Sequence, residues 1–163
     1  MFRNACSFAE IAHLCELEET PHSLPIDSYS IPGIVNSAFA CEVYMKSLLV
    51  YHGASLEEIK YPKHYLEKLW TQFKDKDPTS ASYIENQVSR QYGHEDTNRF
   101  NKKLHEINNA FQDWRYIYEK EEKLPMDRNF MRYFCVSLRD KCCVLYYNQT
   151  WNEFISNGFN WFG

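Results

Sequence analysis

Apolar residues recur at intervals of three and four positions along most of this chain, the spacing that places them on one face of an α-helix. The alternation of apolar and polar positions that is typical of a strand does not recur. Prolines and glycines divide the pattern into separate stretches. Helices are predicted over 4–18, 32–52, 62–73, 79–91, 96–118 and 127–147. The pattern therefore indicates an all-α protein.

The predicted helix boundaries depend on a few capping and breaking residues. Pro32 and Pro62 open the second and third stretches, and Thr79 or Ser80 is expected to cap the fourth. Asp127 can cap the last one. The stretches that end at a glycine do so at Gly53, where a left-handed cap is expected, and at Gly93.

The most regular stretch starts at Asp96 or Thr97 and is predicted to continue as one helix. Its apolar seam consists of Phe100, Leu104, Ile107, Phe111, Trp114 and Tyr118. A polar stripe accompanies it, formed by Asn101, His105, Asn108, Gln112, Arg115 and Glu119. The stripe is either a solvated face or, because it is rich in amide, imidazole and guanidinium groups, the wall of a cleft or a subunit interface.

A chain of 163 residues fits a single domain, so we assign 1–163 to one helical unit. The expected architecture is an up-and-down bundle of four to five helices, to which a second copy could add a further face. The tail over 148–163 should dock on the body or on a second subunit, since it is unusually aromatic. Its large side chains are Trp151, Phe154, Phe159, Trp161 and Phe162.

The charge balance is 18 basic against 22 acidic residues, a net charge of −4, which argues against a broad electrostatic grip on duplex nucleic acid. A local basic pocket remains compatible with it. Glycine-rich phosphate loops are absent from the sequence. The sequence contains no run of 18 apolar residues, and the N-terminal segment is interrupted by charged residues. We therefore expect a cytoplasmic protein without a membrane span.

Six cysteines all fall within apolar, helix-like segments, where a reducing compartment would leave them as small buried side chains. Zinc is the alternative, but the sequence has neither a CxxC string nor paired histidines at ligand spacing. We expect no metal and no cofactor. The cysteines are Cys6, Cys15, Cys41, Cys135, Cys142 and Cys143.

Three polar residues stand beside apolar stripes. Glu42 and Lys46 are four residues apart with the acid first, the favourable order for an ion pair on a helix. They form either a structural pair or the polar lining of a site between helices. His64 is predicted in the first turn of the third helix, where the helix dipole favours a neutral ring that caps, packs or accepts a hydrogen bond.

Three strings in this order suggest a family. NSAFACEVYMKSLL over 36–49 places Glu42 four residues before Lys46 in an apolar run that ends at a glycine turn. KHYLEKL over 63–69 is similar to a small-His-Asp-Leu-x-x-Leu string, with Tyr65 in place of the aspartate. FQDWRYIYE over 111–119 resembles an Arg-Tyr element of one bacterial subgroup. Together, across 34–145, they resemble HEPN domains.

This resemblance implies a helical bundle that is usually a homodimer and is often encoded in mobile, defence-related or toxin-antitoxin loci of bacteria. It also implies either metal-independent RNA cleavage or a non-catalytic role in binding RNA or nucleotides. Ribonucleases of the family carry an arginine followed after four to six residues by a histidine. Arg99 and His105 fit this spacing, but their position in the chain leads us to favour a member without the standard nuclease pair.

Three hypotheses follow. The first is a dimeric binding protein for RNA, a nucleotide or a partner protein, with a polar pocket or network made by Glu42, Lys46, His64, Arg115, Tyr116 and Glu119. In the second, His105 acts as general base on a ribose 2′-hydroxyl and Arg99 stabilises the phosphate. The third is a protein-interaction module that uses the aromatic tail.

Overall fold

Helices form the secondary structure of this chain, which a computed structural model describes over residues 1–17, 29–93, 97–119 and 126–157, without the side chains of Thr97 and Asn98. Within these ranges there is no strand, and the predicted all-α class is confirmed. The helices are more numerous and shorter than expected. They are α1 (Phe2–Leu17), α2 (Ser30–Tyr51), α3 (Leu56–Lys60), α4 (Leu66–Lys76), α5 (Pro78–Tyr92), α6 (Thr97–Glu106), α7 (Ala110–Arg115), α8 (Arg128–Tyr147) and α9 (Trp151–Ser156), with a 3₁₀ turn over Ile117–Glu119.

α2 lies at the centre of the fold and contacts α1, α3, α4, α7 and α8. Its apolar and small residues are distributed around most of the helix, as expected for a helix that others enclose. Gly33 permits the close approach of α1, because a Cβ atom there would lie 3.3 Å from the Cβ of Cys15. Side chains carried by α2 therefore meet several other helices.

An aromatic cluster joins α4, α6 and α8. The ring centroid of Phe134 lies 5.5 Å from that of Trp70, 5.7 Å from that of Phe100 and 5.9 Å from that of Phe130. The contacts with Trp70 and Phe100 are edge-on, an arrangement that aromatic pairs prefer. All four rings are buried, so this cluster holds the three helices in register.

The single long helix predicted over 96–118 is wrong, because α6 ends at Glu106 and α7 begins at Ala110. Between them, the carbonyl oxygen of Asn108 accepts a hydrogen bond from the backbone N–H of Leu66 at 3.2 Å. Its side-chain oxygen accepts another from the N–H of Glu67 at 2.9 Å. The first N–H groups of a helix have no partner within it. Asn108 therefore caps α4 from outside, and this tertiary contact replaces the helical continuation.

The interruption also divides the predicted polar stripe, so its members do not share one helical face. Asn101 and His105 lie on α6, whereas Gln112 and Arg115 lie on α7. Asn108 occupies the break, and Glu119 lies in the 3₁₀ turn. The predicted stripe assumed one continuous helix. The capping of α4 by Asn108 prevents that continuity.

We expect Asn108→Ala to lower the free energy of unfolding by about 1 kcal/mol, the typical cost of losing a side-chain cap. The carbonyl of residue 108 can still accept from Leu66, so α4 keeps one of its two external partners. Urea unfolding followed by circular dichroism measures the change. The control is Asn101→Ala on the exposed side of α6, for which a change within about 0.5 kcal/mol is expected. Equal losses in the two variants would contradict the capping role.

Several predicted helix starts need correction. α3 was not expected; Ser55 and Glu58 form a capping box at its start. The next helix begins at Leu66 rather than Pro62, because Lys63 adopts a left-handed φ of 51° that a helix cannot contain. α5 is capped by Asp77, whose carboxylate accepts from the N–H of Ser80 at 2.9 Å, and not by Thr79 or Ser80.

Other ends are confirmed. Gly53 and Gly93 have φ values of 80° and 76°, the left-handed region that glycine enters without strain. Asp127 caps α8 by accepting from the N–H of Phe130 at 3.0 Å. Burial raises the pKa of Asp127, but hydrogen bonds from Tyr92, Phe130 and Lys103 outweigh it, and the pKa lies below its ordinary value.

The first part of the aromatic tail, over 148–157, lies within the described residues. Phe154 of α9 is buried, with its ring centroid 5.7 Å from that of Phe2 and 4.6 Å from that of Tyr147. Trp151 packs beside it at 5.8 Å. α9 therefore docks on the body of the protein. Phe159, Trp161 and Phe162 lie outside the described residues, as do Asp96 and Pro125.

All six cysteines are free thiols, and five of them are buried, as predicted; Cys15 is half-buried. None of the described helices is both long enough and apolar enough to cross a membrane.

Candidate functional site around Glu42

Glu42 of α2 is a buried carboxylate with two basic partners. Its side chain is 2% exposed, and its Oε1 atom lies 2.7 Å from the Nζ atom of Lys46, one turn further along the helix. Its Oε2 atom lies 2.8 Å from the Nδ1 atom of His64. Buried charges are tolerated when they are paired in this way. The predicted Glu42–Lys46 pair is therefore present, and a histidine from a distant part of the chain completes it.

His64 stands in the turn between α3 and α4 rather than in the first turn of a helix, which corrects the predicted position. The turn is closed by a 3.0 Å hydrogen bond from the N–H of Tyr65 to the carbonyl oxygen of Pro62. Lys63, in its left-handed conformation, directs the chain so that the next residue faces α2. The ring of His64 is about one third exposed. Its Nε2 atom has no hydrogen-bond partner among the described residues.

Phe111 of α7 joins this polar group to the rest of the site. Its ring centroid lies 4.7 Å from that of His64 and 4.9 Å from that of Phe39 on α2. Phe39 in turn packs edge-on against Phe8 of α1 at 4.5 Å. These three rings form a row that begins at the imidazole of His64 and connects it to α7, α2 and α1. The apolar spacing of Phe111 identified it only as a core residue, so its role in the site was missed.

Arg115 lies on the same aromatic ring and is exposed. Its guanidinium carbon is 5.8 Å from the centroid of Phe111 and 5.3 Å from that of Tyr116, distances at which a cation is attracted to a ring face. Within the described ranges its guanidinium forms no ion pair. The tyrosines that follow are exposed as well, Tyr116 at 40% and Tyr118 at 77%.

Some of the predicted site residues thus lie close together in the structure, and others do not. Glu42, Lys46 and His64 are in direct contact, and Arg115 and Tyr116 approach them through Phe111. The structure records no contact of Glu119 with Glu42, Lys46 or His64. Glu119 instead neighbours Tyr118 in the 3₁₀ turn.

Arg99 and His105 contact different partners at opposite ends of α6. The guanidinium carbon of Arg99 lies 4.8 Å from the ring centroid of Tyr92, whose hydroxyl donates to the Asp127 cap of α8. The Nδ1 atom of His105 lies 3.1 Å from a carboxylate oxygen of Glu67, in a ring that is 77% exposed. Six residues of helix also separate the two by about 9 Å along the axis. Their pairing as a nuclease site stays a prediction.

Among the described residues, no three acidic, histidine or cysteine side chains are grouped so that they could hold a metal ion. No known protein family, characterised protein or solved structure matches this chain. The chemistry of the Glu42 site is therefore the basis for proposing a function.

Proposed function

We propose that this protein binds a nucleotide unit, either free or within single-stranded RNA, at the site formed by Lys46, His64, Phe111, Arg115 and Tyr116. The observation that carries the proposal is the state of Arg115. Its guanidinium is exposed and lies beside two aromatic rings, and it forms no ion pair among the described residues. A planar guanidinium in this state is suited to binding a phosphate with two parallel hydrogen bonds.

The neighbouring groups support the same ligand. His64 and Arg115 both pack against the ring of Phe111, so the Nε2 atom of His64 offers a further hydrogen bond, while Lys46 balances the charge of the buried Glu42. Exposed Tyr116 and Tyr118 have their ring centroids 6.3 Å apart and provide faces on which bases can stack. The chain as a whole is acidic, so the proposed ligand is a nucleotide or a short single strand rather than a duplex.

This proposal takes up the non-catalytic binding role that the resemblance to HEPN domains implies. It includes the homodimer that the same resemblance implies. A molecular mass from light scattering tests the dimer directly. The proposed binding function does not require Arg99 or His105 to act in catalysis.

We expect Arg115→Gln to weaken binding about tenfold or more, since a hydrogen bond to a charged group contributes about 1.5–3 kcal/mol. Fluorescence anisotropy measures the affinity for a labelled single-stranded RNA oligonucleotide. Calorimetry measures the affinity for adenosine monophosphate. Binding of both ligands would indicate a mononucleotide site, whereas binding of the oligonucleotide alone would indicate RNA. The control is Arg90→Gln at the exposed end of α5. No binding by the wild type, or the same loss in both variants, would refute the proposal.

A further inference from the structure

A cavity of about 250 Å³ lies between α1 and α8, away from the Glu42 site. Each helix lines it with one face, since the contributing positions are spaced by three and four residues. On α1 they are 6, 9, 10, 13 and 16, and on α8 they are 132, 135, 136 and 139. The two helices touch each other only slightly, which leaves this space open. α2 closes the bottom with Ser37 and Tyr44.

The floor of the cavity is uncharged. The hydroxyl of Tyr44 donates to the sulfur of Cys6 at 3.3 Å, and both residues are buried. Burial raises the pKa of the Cys6 thiol to about 11, so it is neutral at physiological pH. Cys135, Ala9 and Val136 complete this surface with apolar atoms. The floor is suited to an apolar group and offers it no charge.

The two rims carry opposite charges. α1 contributes the exposed Glu10 and Glu16, with His13 between them, and α8 contributes Arg132 and Arg139. Arg139 is already bonded to Asp140 at 2.8 Å and lies 4.2 Å from the ring centroid of Trp151. Arg132 is different: its guanidinium carbon lies 5.2 Å from the ring centroid of Tyr133, and across the described parts of the chain it forms no ion pair. Glu10 and Glu16 likewise form no ion pair there, so the rims face each other without neutralising one another.

We propose that this cavity binds a free α-amino acid with a large apolar side chain. Arg132 binds the carboxylate, Glu10 binds the ammonium group, and the side chain rests on the apolar surface formed by Ala9, Cys135 and Val136. A zwitterion is the small molecule that satisfies both rims at once, whereas a ligand with one charge leaves the opposite rim unpaired. The volume lies just below the usual range of ligand pockets and suits a molecule of this size.

The experiment is calorimetric titration of the 163-residue chain with L-phenylalanine, L-leucine and L-tryptophan. 3-Phenylpropionate, which lacks the ammonium group, and 2-phenylethylamine, which lacks the carboxylate, are titrated in parallel. We expect at least one amino acid to bind with a Kd below about 1 mM, and the phenylalanine analogues to bind about tenfold more weakly than phenylalanine. Equal affinity for the amino acid and both analogues would overturn the recognition of a zwitterion.

Variants test separately what the charged rims and the apolar floor contribute to binding. We expect Arg132→Gln to remove the preference for phenylalanine over 2-phenylethylamine, and Glu10→Gln to reduce the preference over 3-phenylpropionate. Ala9→Leu should fill the space and abolish binding, while Arg90→Gln, far from the cavity, should leave it unchanged. Circular dichroism confirms that each variant is folded. If none of the three amino acids binds, the proposal of an amino-acid site is refuted. Nucleotide binding at Arg115 is a separate proposal and is not affected by that result.

Discussion

Lys46→Met is expected to lower the free energy of unfolding by about 3 kcal/mol at neutral pH. Methionine matches the length of lysine and suits a helix, but it removes the cation that lies 2.7 Å from the buried Glu42. A buried carboxylate deprived of its partner is costly, because the interior cannot replace the lost water and the lost charge. His64 remains at 2.8 Å and limits the loss.

Urea unfolding of two further variants makes this test specific. In Glu42→Gln/Lys46→Met both charges are absent, so we expect most of the lost free energy to return. In Lys60→Met, the cation removed belongs to a pair with Glu57 that is largely exposed, and such surface pairs contribute about 0–1 kcal/mol. If the Lys46 and Lys60 variants unfold at the same urea concentration, the Glu42 network does not stabilise the fold.

Phe134→Ala is expected to cost about 3–5 kcal/mol, the usual range for removing a buried phenylalanine ring. The side chain is fully buried and touches aromatic rings from α4, α6 and α8. The cavity left behind cannot collapse easily, because its neighbours are themselves large and rigid. Since small domains are stable by only about 5–15 kcal/mol, a large part of the native stability should disappear.

Thermal and urea unfolding measure this effect, with Phe134→Leu as a milder substitution that keeps the site apolar. Tyr61→Ala is the control, since this ring is 82% exposed and its loss should change stability by less than about 0.5 kcal/mol. A shift as small as the control's would show that the aromatic cluster does not hold the three helices together.

The helices and many of their ends follow from local chemistry. Asp127 caps α8 and Gly53 follows α2 because caps and left-handed ends depend on residues adjacent in the chain. The Glu42–Lys46 pair was predictable for the same reason, since four residues of helix bring the two side chains together whatever surrounds them.

The rest was decided by tertiary contacts. Asn108 interrupts a seam with regular spacing because it caps α4, which lies some forty residues earlier in the chain. Capping of this kind adds hydrogen bonds that the periodicity of the seam does not reveal.

The amino-acid sequence by itself determined an all-α chain, free and mostly buried cysteines and the ion pair on α2, since each follows from the residues of single helical segments. Only the tertiary structure decided that His64 turns toward Glu42 rather than into a helix, that Arg115 keeps its charge unneutralised, and that α1 and α8 leave a cavity. These features depend on how helices distant in the chain pack against one another, and local spacing holds no information about that packing.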